Sequence, residues 1–160
     1  MGLIAAWTSF LKRSIGGLYS RLNTSATEKV EVGERAVALA SVFTHLLPDD
    51  VKHYFQEIAR VAKRGARTIS AYFLFNDEAR SHIRAGGIRF PLRKVRSLRK
   101  QVYRVNDPDV PEKAVAYEED WIRALHLRNR LSIVEITYGN WSGRTDLVGC
   151  LEDTIIAVKG

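Results

Sequence analysis

The sequence predicts an α/β domain, built on a mostly parallel sheet that closes with an antiparallel strand. Two observations favour this class. Short apolar and β-branched runs alternate along the chain with amphipathic stretches of helical length. The last two strand-like runs follow each other through a glycine-containing loop, which is typical of antiparallel neighbours.

Length and composition indicate one ordinary globular domain. The 160 residues are 46% hydrophobic and 27% charged, and no apolar run approaches the roughly 20 residues that cross a bilayer. The N-terminus lacks the pattern of a secretory signal, and the single cysteine, Cys150, excludes an internal disulfide and a cysteine-based metal cluster. We therefore expect a cytoplasmic protein without a membrane partner, and the four histidines show no metal-ligand spacing.

The N-terminal element is predicted as residues 1–28. Residues 3–22 repeat apolar side chains every three or four positions, as an amphipathic helix does, and residues 23–28 are loop-like. The apolar stripe needs a cover, which its own sheet, a partner chain or a membrane surface would provide. The main domain is predicted over residues 29–160, with Lys29–Val32 as a short first strand.

Strands and helices then follow in order. Ala36–Phe43 is a continuous apolar run, typical of a strand buried on both faces. Pro48 opens a helix with a clean apolar stripe, and Gly65 follows its end. Arg67–Phe75 is rich in aromatic and β-branched residues and predicts a second strand.

The second part of the chain continues the alternation. The predicted elements are a short helix with an Asn or Asp cap, an irregular basic segment, a third helix that buries Trp121, Ile122, Leu125 and Leu127, and two final strands. Their ranges are Asn76–Arg84, Gly86–Pro111, Ala116–Arg130, Leu131–Tyr138 and Asp153–Val158.

The net charge of +7 comes from one local stripe. Nine of the 25 basic residues lie between Ala79 and Arg104 without an acid among them, and the remaining 16 face 18 acids. A nucleic-acid partner is not expected, because the stripe carries only Phe90 and Tyr103 as stacking groups and no known motif. An acidic block follows the stripe and could neutralise it internally; its members are Asp107, Asp109, Glu112, Glu118, Glu119 and Asp120. The stripe is Arg80, Arg84, Arg89, Arg93, Lys94, Arg96, Arg99, Lys100 and Arg104.

Several segments, in order, resemble one family. ASVFTHLLPDDVKHYFQEIARVAKRGAR and the strand TISAYFLFN resemble the fourth strand, the following helix and the fifth strand of class I S-adenosylmethionine-dependent methyltransferases. NDPDVPEKAVAYEEDW and ITYGNWSGR are similar to a bacterial branch of that superfamily, and DTIIAVK is similar to its last strand. The resemblance covers Val37 to Lys159 and implies a partial Rossmann-like methyltransferase sheet.

The first half of the family fold has no counterpart here. The resemblance implies that S-adenosylmethionine is held mainly by a glycine-rich turn after the first strand, and this sequence has no G-x-G-x-G run. Only 35 residues precede the strand at Ala36, whereas each βαβ unit needs about 30. The sequence therefore predicts a truncated fold in which binding of S-adenosylmethionine rests on resemblance alone.

The resemblance places candidate site residues at two points. Ser41 and His45 lie at the C-terminal end of the Ala36–Phe43 strand, where relatives line the cofactor and substrate pocket, although His45 could instead cap the helix that follows. Tyr138, Trp141 and Arg144 lie in the loop between the last two strands, where relatives cover the mouth of the substrate pocket. The alternative for that loop is a packed structure with Trp141 as its plug. No catalytic residue is assigned.

Two functions remain open. The first is methyl transfer from S-adenosylmethionine to a small acceptor, by a chain that is inactive alone and needs the missing half in trans. The second is a non-catalytic remnant or interaction module that binds a partner chain through an exposed sheet edge or through the basic stripe. In both cases the bared side of the Ala36–Phe43 strand predicts pairing, with a second copy in a homo-oligomer or with a separately encoded N-terminal half.

Overall fold

The structure is a computed structural model that describes residues 36–39, 41–86, 93–94, 102–144 and 151–160. The three helices of this part are α1 (Pro48–Val61), α2 (Asp77–Arg84) and α3 (Glu119–Arg128). Its strands are β1 (Ala36–Leu39), β2 (Arg67–Tyr72), β3 (Leu74–Phe75), β4 (Arg93–Lys94), β5 (Tyr103–Val105), β6 (Val115–Glu118), β7 (Leu131–Thr137) and β8 (Asp153–Lys159).

The first sheet has the strand order β1-β2-β8-β7. β1 runs parallel to β2, with Ala36 beside Arg67, and β8 is antiparallel to both β2 and β7. The predicted α/β class and the antiparallel C-terminal strand are therefore confirmed. Within the described residues, β1 pairs on one side only and so forms an edge of the sheet.

The second sheet has the order β3-β6-β5-β4. The strand predicted over Arg67–Phe75 is divided at Phe73, so that β2 joins the first sheet and β3 pairs parallel with β6 in the second. Of the six described pairings only β1–β2 and β3–β6 are parallel, fewer than the mostly parallel sheet of the prediction. Parallel neighbours need a crossover helix, and in the described part of the first sheet only α1 provides one.

Helix α1 forms as the sequence predicts. Pro48 stands at the start, where its missing N–H costs nothing, and Asp49 and Asp50 occupy the first turn. Val51, Phe55 and Ile58 are buried on one face. These side chains anchor the helix to the core, which also contains Tyr72, Tyr117, Ile122 and Ile155.

The strand predicted over Ala36–Phe43 ends earlier, at Leu39. Phe43–His45 forms a 3-10 turn instead. This turn brings the Phe43 ring, which is fully buried, to 5.0 Å from the Tyr72 ring in a stacked arrangement and to 5.5 Å from Phe55. Stacking and burial of three aromatic rings favour the turn over continued pairing.

The third helix also differs from its prediction. Residues 115–118 form β6, so the helix begins at Glu119 and not at Ala116. Leu127, expected on the buried face, is 81% exposed, whereas His126 is 2% exposed and packs against Phe55. Because successive helical residues turn by about 100°, the face that buries Ile122 also buries position 126 and turns position 127 outwards.

The predictions for residues 1–28 and for Lys29–Val32 fall outside the described residues, and the domain boundary stays a prediction. In the part that the structure describes, no helix combines the length and apolar character that a membrane span requires.

Candidate functional site

The residues that the sequence singled out lie near the carboxyl ends of the parallel strands of the first sheet. β1 and β2 are parallel, and β7 runs in the same direction because both β2 and β7 are antiparallel to β8. The carboxyl ends of these three strands therefore lie at the same end of the sheet, which is where open α/β sheets bind ligands. Ser41 and His45 follow β1 and Tyr138 follows β7, while β8 starts there at Asp153.

The two residues predicted to contact the cofactor are engaged by the chain itself. Ser41 adopts a left-handed conformation, with φ of 54°, and its hydroxyl donates to Glu152 Oε2 over 2.9 Å. Thr44 donates to the other oxygen of Glu152 over 3.2 Å. His45 Nδ1 lies 2.8 Å from the backbone oxygen of Glu112, and no side chain caps α1, so the capping alternative is not what the structure has.

The described residues do not make a cradle for S-adenosylmethionine. The polar side-chain groups of Ser41 and His45 are already hydrogen-bonded, to the carboxylate of Glu152 and to the backbone oxygen of Glu112. The turn after β1 leads into the aromatic stack at Phe43. Among the described residues, no glycine-rich turn joins a strand to a helix, so the backbone offers no point of close approach to the nucleoside of S-adenosylmethionine. The residues present therefore do not fit the cofactor by themselves.

Asp153 organises the loop after β7. Its carboxylate is fully buried and accepts four hydrogen bonds, from Leu74 N (2.6 Å), Gly139 N (2.7 Å), Trp141 Nε1 (2.7 Å) and Arg144 (3.4 Å). Burial raises the pKa of Asp153 to about 6, against the pull of these donors. One side chain thereby ties β3, the start of β8 and the loop together.

Trp141 and Arg144 lie within this packing. Trp141 is fully buried and its ring lies 5.4 Å from that of Phe73, which matches the packed-plug alternative for the loop. Arg144 is also buried, forms ion pairs with Asp153 and with Glu78 (3.2 Å), and places its guanidinium 4.5 Å from the centre of the Tyr138 ring. Their placement as substrate contacts stays a prediction.

Tyr138 reaches a separate, open cleft. Its hydroxyl lies 3.0 Å from each carboxylate oxygen of Glu119. The Glu119 carboxylate also accepts from Asn76 Nδ2 over 2.8 Å and from Arg123 Nε over 2.7 Å. Partial burial, and then the neighbouring Glu119 carboxylate, raise the pKa of the Tyr138 phenol.

The cleft lies at the carboxyl ends of the parallel strands β3 and β6, and its volume is about 360 Å³. Most of its lining comes from the first turns of α2 and α3, where the helix dipole favours acids. The acidic character of the cleft thus has a structural reason. The lining residues are Phe75, Asn76, Asp77, Glu78, Arg80, Glu118, Glu119, Asp120 and Tyr138.

The ends of the predicted basic stripe meet at this cleft. Arg80 and Arg104 both bind Glu118, over 2.6 and 3.0 Å, and both guanidinium groups lie on the Phe75 ring, at 4.7 and 4.0 Å from its centre. Glu118 of the acidic block therefore neutralises part of the charge of Arg80 and Arg104, as the sequence predicts. The stripe between residues 87 and 101 lies outside the described side chains.

Sequence reasoning did not single out Asn76, Glu119, Glu152 or Asp153 as site residues. Glu119 was one member of an acidic block, and its distance of 19 residues from Tyr138 gives no periodic signal. The described residues contain no group of three or more His, Cys, Asp or Glu side chains that could hold a metal ion.

No protein-family model matches this chain. Among solved structures it is similar to a SAM-dependent methyltransferase from Methanosarcina mazei, at 17% identity over 82% of this chain and 63% of that one, with a TM-score of 0.49. It is also similar to 1,6-didemethyltoxoflavin-N1-methyltransferase from Burkholderia thailandensis (13% identity, 82% and 47% coverage, TM-score 0.48). A third is the magnesium protoporphyrin IX methyltransferase of Synechocystis PCC 6803 (16% identity, 91% and 57% coverage, TM-score 0.45).

These solved structures are methyltransferases, the class that the sequence segments resemble. The chain spans between 47% and 63% of their lengths. With TM-scores below 0.5, the matches carry no conclusion about its activity or its substrate.

Proposed function

We propose that this chain supplies the acceptor-binding part of an S-adenosylmethionine-dependent methyltransferase and that the cleft beside Tyr138 holds a small acceptor. The observation that carries the proposal is the position of the cleft at the carboxyl ends of β3 and β6. The sequence resemblance over Val37 to Lys159 gives the reaction class. The role of the cleft is to position the methyl acceptor, because fixing the orientation of two reactants accelerates a transfer between them.

The donor site is the part that the described residues lack. Because Ser41 and His45 are engaged by Glu152 and Glu112, we propose that another polypeptide segment completes it, either a separately encoded first half or a second copy. No step of methyl transfer is assigned to the described side chains.

Calorimetry and a labelling assay test the two parts separately. The purified chain titrated with S-adenosylmethionine should give no micromolar binding, and such binding would overturn the need for a partner segment. For the activity, lysate of the source cell supplies the partner, and methyl-tritiated S-adenosylmethionine with a small-molecule extract supplies the reactants. Labelled small products should depend on added chain and decrease with Tyr138→Phe. If the added chain increases no product, the methyltransferase proposal fails.

An interaction module is the second candidate, favoured by the contrast between two sheet edges. β1 is short and uncharged, and within the described residues its outer side has no partner. The opposite edge, β7, has a bulge between Ile133 and Glu135 and an exposed Glu135, which are devices that discourage pairing. Light scattering after size exclusion tests self-pairing, because a strictly monomeric chain contradicts pairing of two copies through β1.

A further inference from the structure

The hydrogen of the Tyr138 hydroxyl has a fixed direction. The oxygen lies 3.0 Å from both oxygens of Glu119, and that carboxylate is already paired with Arg123. An ionised carboxylate accepts hydrogen bonds and cannot donate them. Tyr138 is therefore the donor to Glu119, and its oxygen can otherwise only accept, from Arg123 beside it or from a ligand in the cleft.

The neighbours of the pair hold this direction. Glu119 is 7% exposed, and Asn76 and Arg123 fix its two oxygens from different elements. The guanidinium of Arg144 lies against the Tyr138 ring. If the hydroxyl turned its proton into the cleft, a buried carboxylate would lose one of its donors, which is unfavourable.

The other side chains of the cleft point to the same polarity. The two uncharged or cationic donors of the lining, Asn76 and Arg80, donate to Glu119 and Glu118. The acids themselves are accounted for by the helix N-termini and are not used here as a sign of a ligand. The phenol oxygen thereby adds an uncharged acceptor to a lining whose other acceptors are mostly carboxylates.

We infer that Glu119 is a positioning residue that keeps the Tyr138 oxygen as an acceptor, so that the cleft selects a ligand presenting an N–H or O–H group. Carboxylates and ethers lack such a group and are disfavoured. The inference rests on the proposed function and deepens it. A small molecule that is methylated at an N–H or O–H group carries the proton that a hydrogen bond to the Tyr138 oxygen requires.

A neutral pair of probes tests hydrogen-bond selection without involving charge. Benzyl alcohol and benzyl methyl ether differ in whether the oxygen carries a proton. Each is titrated into the full chain, and binding is followed by the amide NMR signals of Asn76 and Asp120. The alcohol should bind about fivefold to tenfold more tightly than the ether, the value of one hydrogen bond. Equal affinities, or no shift with either probe, would overturn the inference.

Variants separate positioning from packing. Tyr138→Phe should abolish the preference for the alcohol. Glu119→Gln introduces an amide donor that lets the phenol turn its proton outwards, so the preference should vanish or reverse. Asp109→Asn removes one carboxylate charge at an exposed position outside the cleft lining and should leave the preference unchanged. A preference that survives Glu119→Gln contradicts the positioning role.

The ionisation of Tyr138 gives a second readout. The charged groups around the phenol are Glu119 and Arg123 on α3, Arg144 in the loop, and Glu78 and Asp120 along the cleft. In chains labelled with carbon-13 at tyrosine Cζ, Glu119→Gln should lower the pKa of Tyr138 and Asp109→Asn should change it far less. Neither readout needs a methyl donor, so the inference can fail while methyl transfer is found, and the reverse.

Discussion

Trp141 donates its indole N–H to Oδ2 of Asp153 over 2.7 Å, and both side chains are fully buried. The same carboxylate accepts from the backbone of Leu74, beyond the break between the two sheets, and from Gly139 at the end of β7. The described part of the loop, residues 139–144, is thereby tied to the start of β8 and to β3.

Replacing Asp153 by Ala should destabilise the domain strongly. The substitution leaves two backbone N–H groups, an indole N–H and the Arg144 charge without their buried acceptor, which costs about 3–5 kcal/mol when a buried pair is broken. Urea unfolding followed by tryptophan fluorescence measures it. Asp109→Ala, at an exposed position, is the control. A loss below that of an ordinary surface substitution would contradict the central role of Asp153.

Gly139 should not tolerate a side chain. A Cβ atom at this position would lie 2.3 Å from Leu151 O and 2.5 Å from Glu152 O, and both are backbone atoms. Gly139→Ala therefore forces the two strand ends apart and should cost about 1–3 kcal/mol, as overpacking does. Gly160→Ala is the matched control, because its Cβ would meet only Arg130 O at an ordinary 3.6 Å. Equal melting temperatures for the two variants would show that the strand ends are not tightly held.

The Glu118 carboxylate should stabilise more than a surface ion pair does. It binds Arg80 and Arg104 together, and the two guanidinium groups rest on Phe75. Arg104 is 13% and Glu118 21% exposed, so solvent screens them little. Glu118→Gln should lower the free energy of unfolding by about 1–3 kcal/mol, the value of hydrogen bonds to charged groups.

The control for this pair is Glu57→Gln, which breaks the exposed contact between Glu57 and Arg60 and should change the free energy of unfolding far less than Glu118→Gln does. Denaturant titrations of both variants at low and high salt check the comparison. If the two losses are the same, the stacked arginines contribute no more than surface charges.

Local patterns predicted the elements whose signals are local. The stripe of α1, its Pro48 start and the Asn76 cap of α2, which accepts from Ala79 N over 2.8 Å, are visible in a few neighbouring residues. The break at Phe73 and the strand β6 are set by pairing with distant segments. For this reason the sequence alone predicted one continuous strand across Phe73 and assigned residues of β6 to the third helix. The Glu119–Tyr138 contact joins a helix start to a strand end and has no signature in the spacing.

His126 should make the domain less stable below neutral pH. The ring is 2% exposed, its Nδ1 lies 3.0 Å from Ile122 O, and burial lowers its pKa to about 4. The unfolded chain takes up a proton near its ordinary pKa of about 6.5, whereas the folded chain does so only near 4. Stability from this group is thus complete above about 6.5 and is lost as the pH falls towards 4, with about 2 kcal/mol lost at pH 5.

Asp153 acts in the opposite direction over the same range. Its folded pKa of about 6 lies above the unfolded value, so the folded chain binds the proton more readily and gains stability as the pH falls through 6. The net profile of the wild type is therefore flatter than His126 alone would give. The contribution of His126 is isolated by comparing wild type with His126→Leu, whose free energies of unfolding should differ in slope between pH 7 and pH 5. Parallel profiles would mean that the buried imidazole takes up a proton in the folded chain as readily as in the unfolded one.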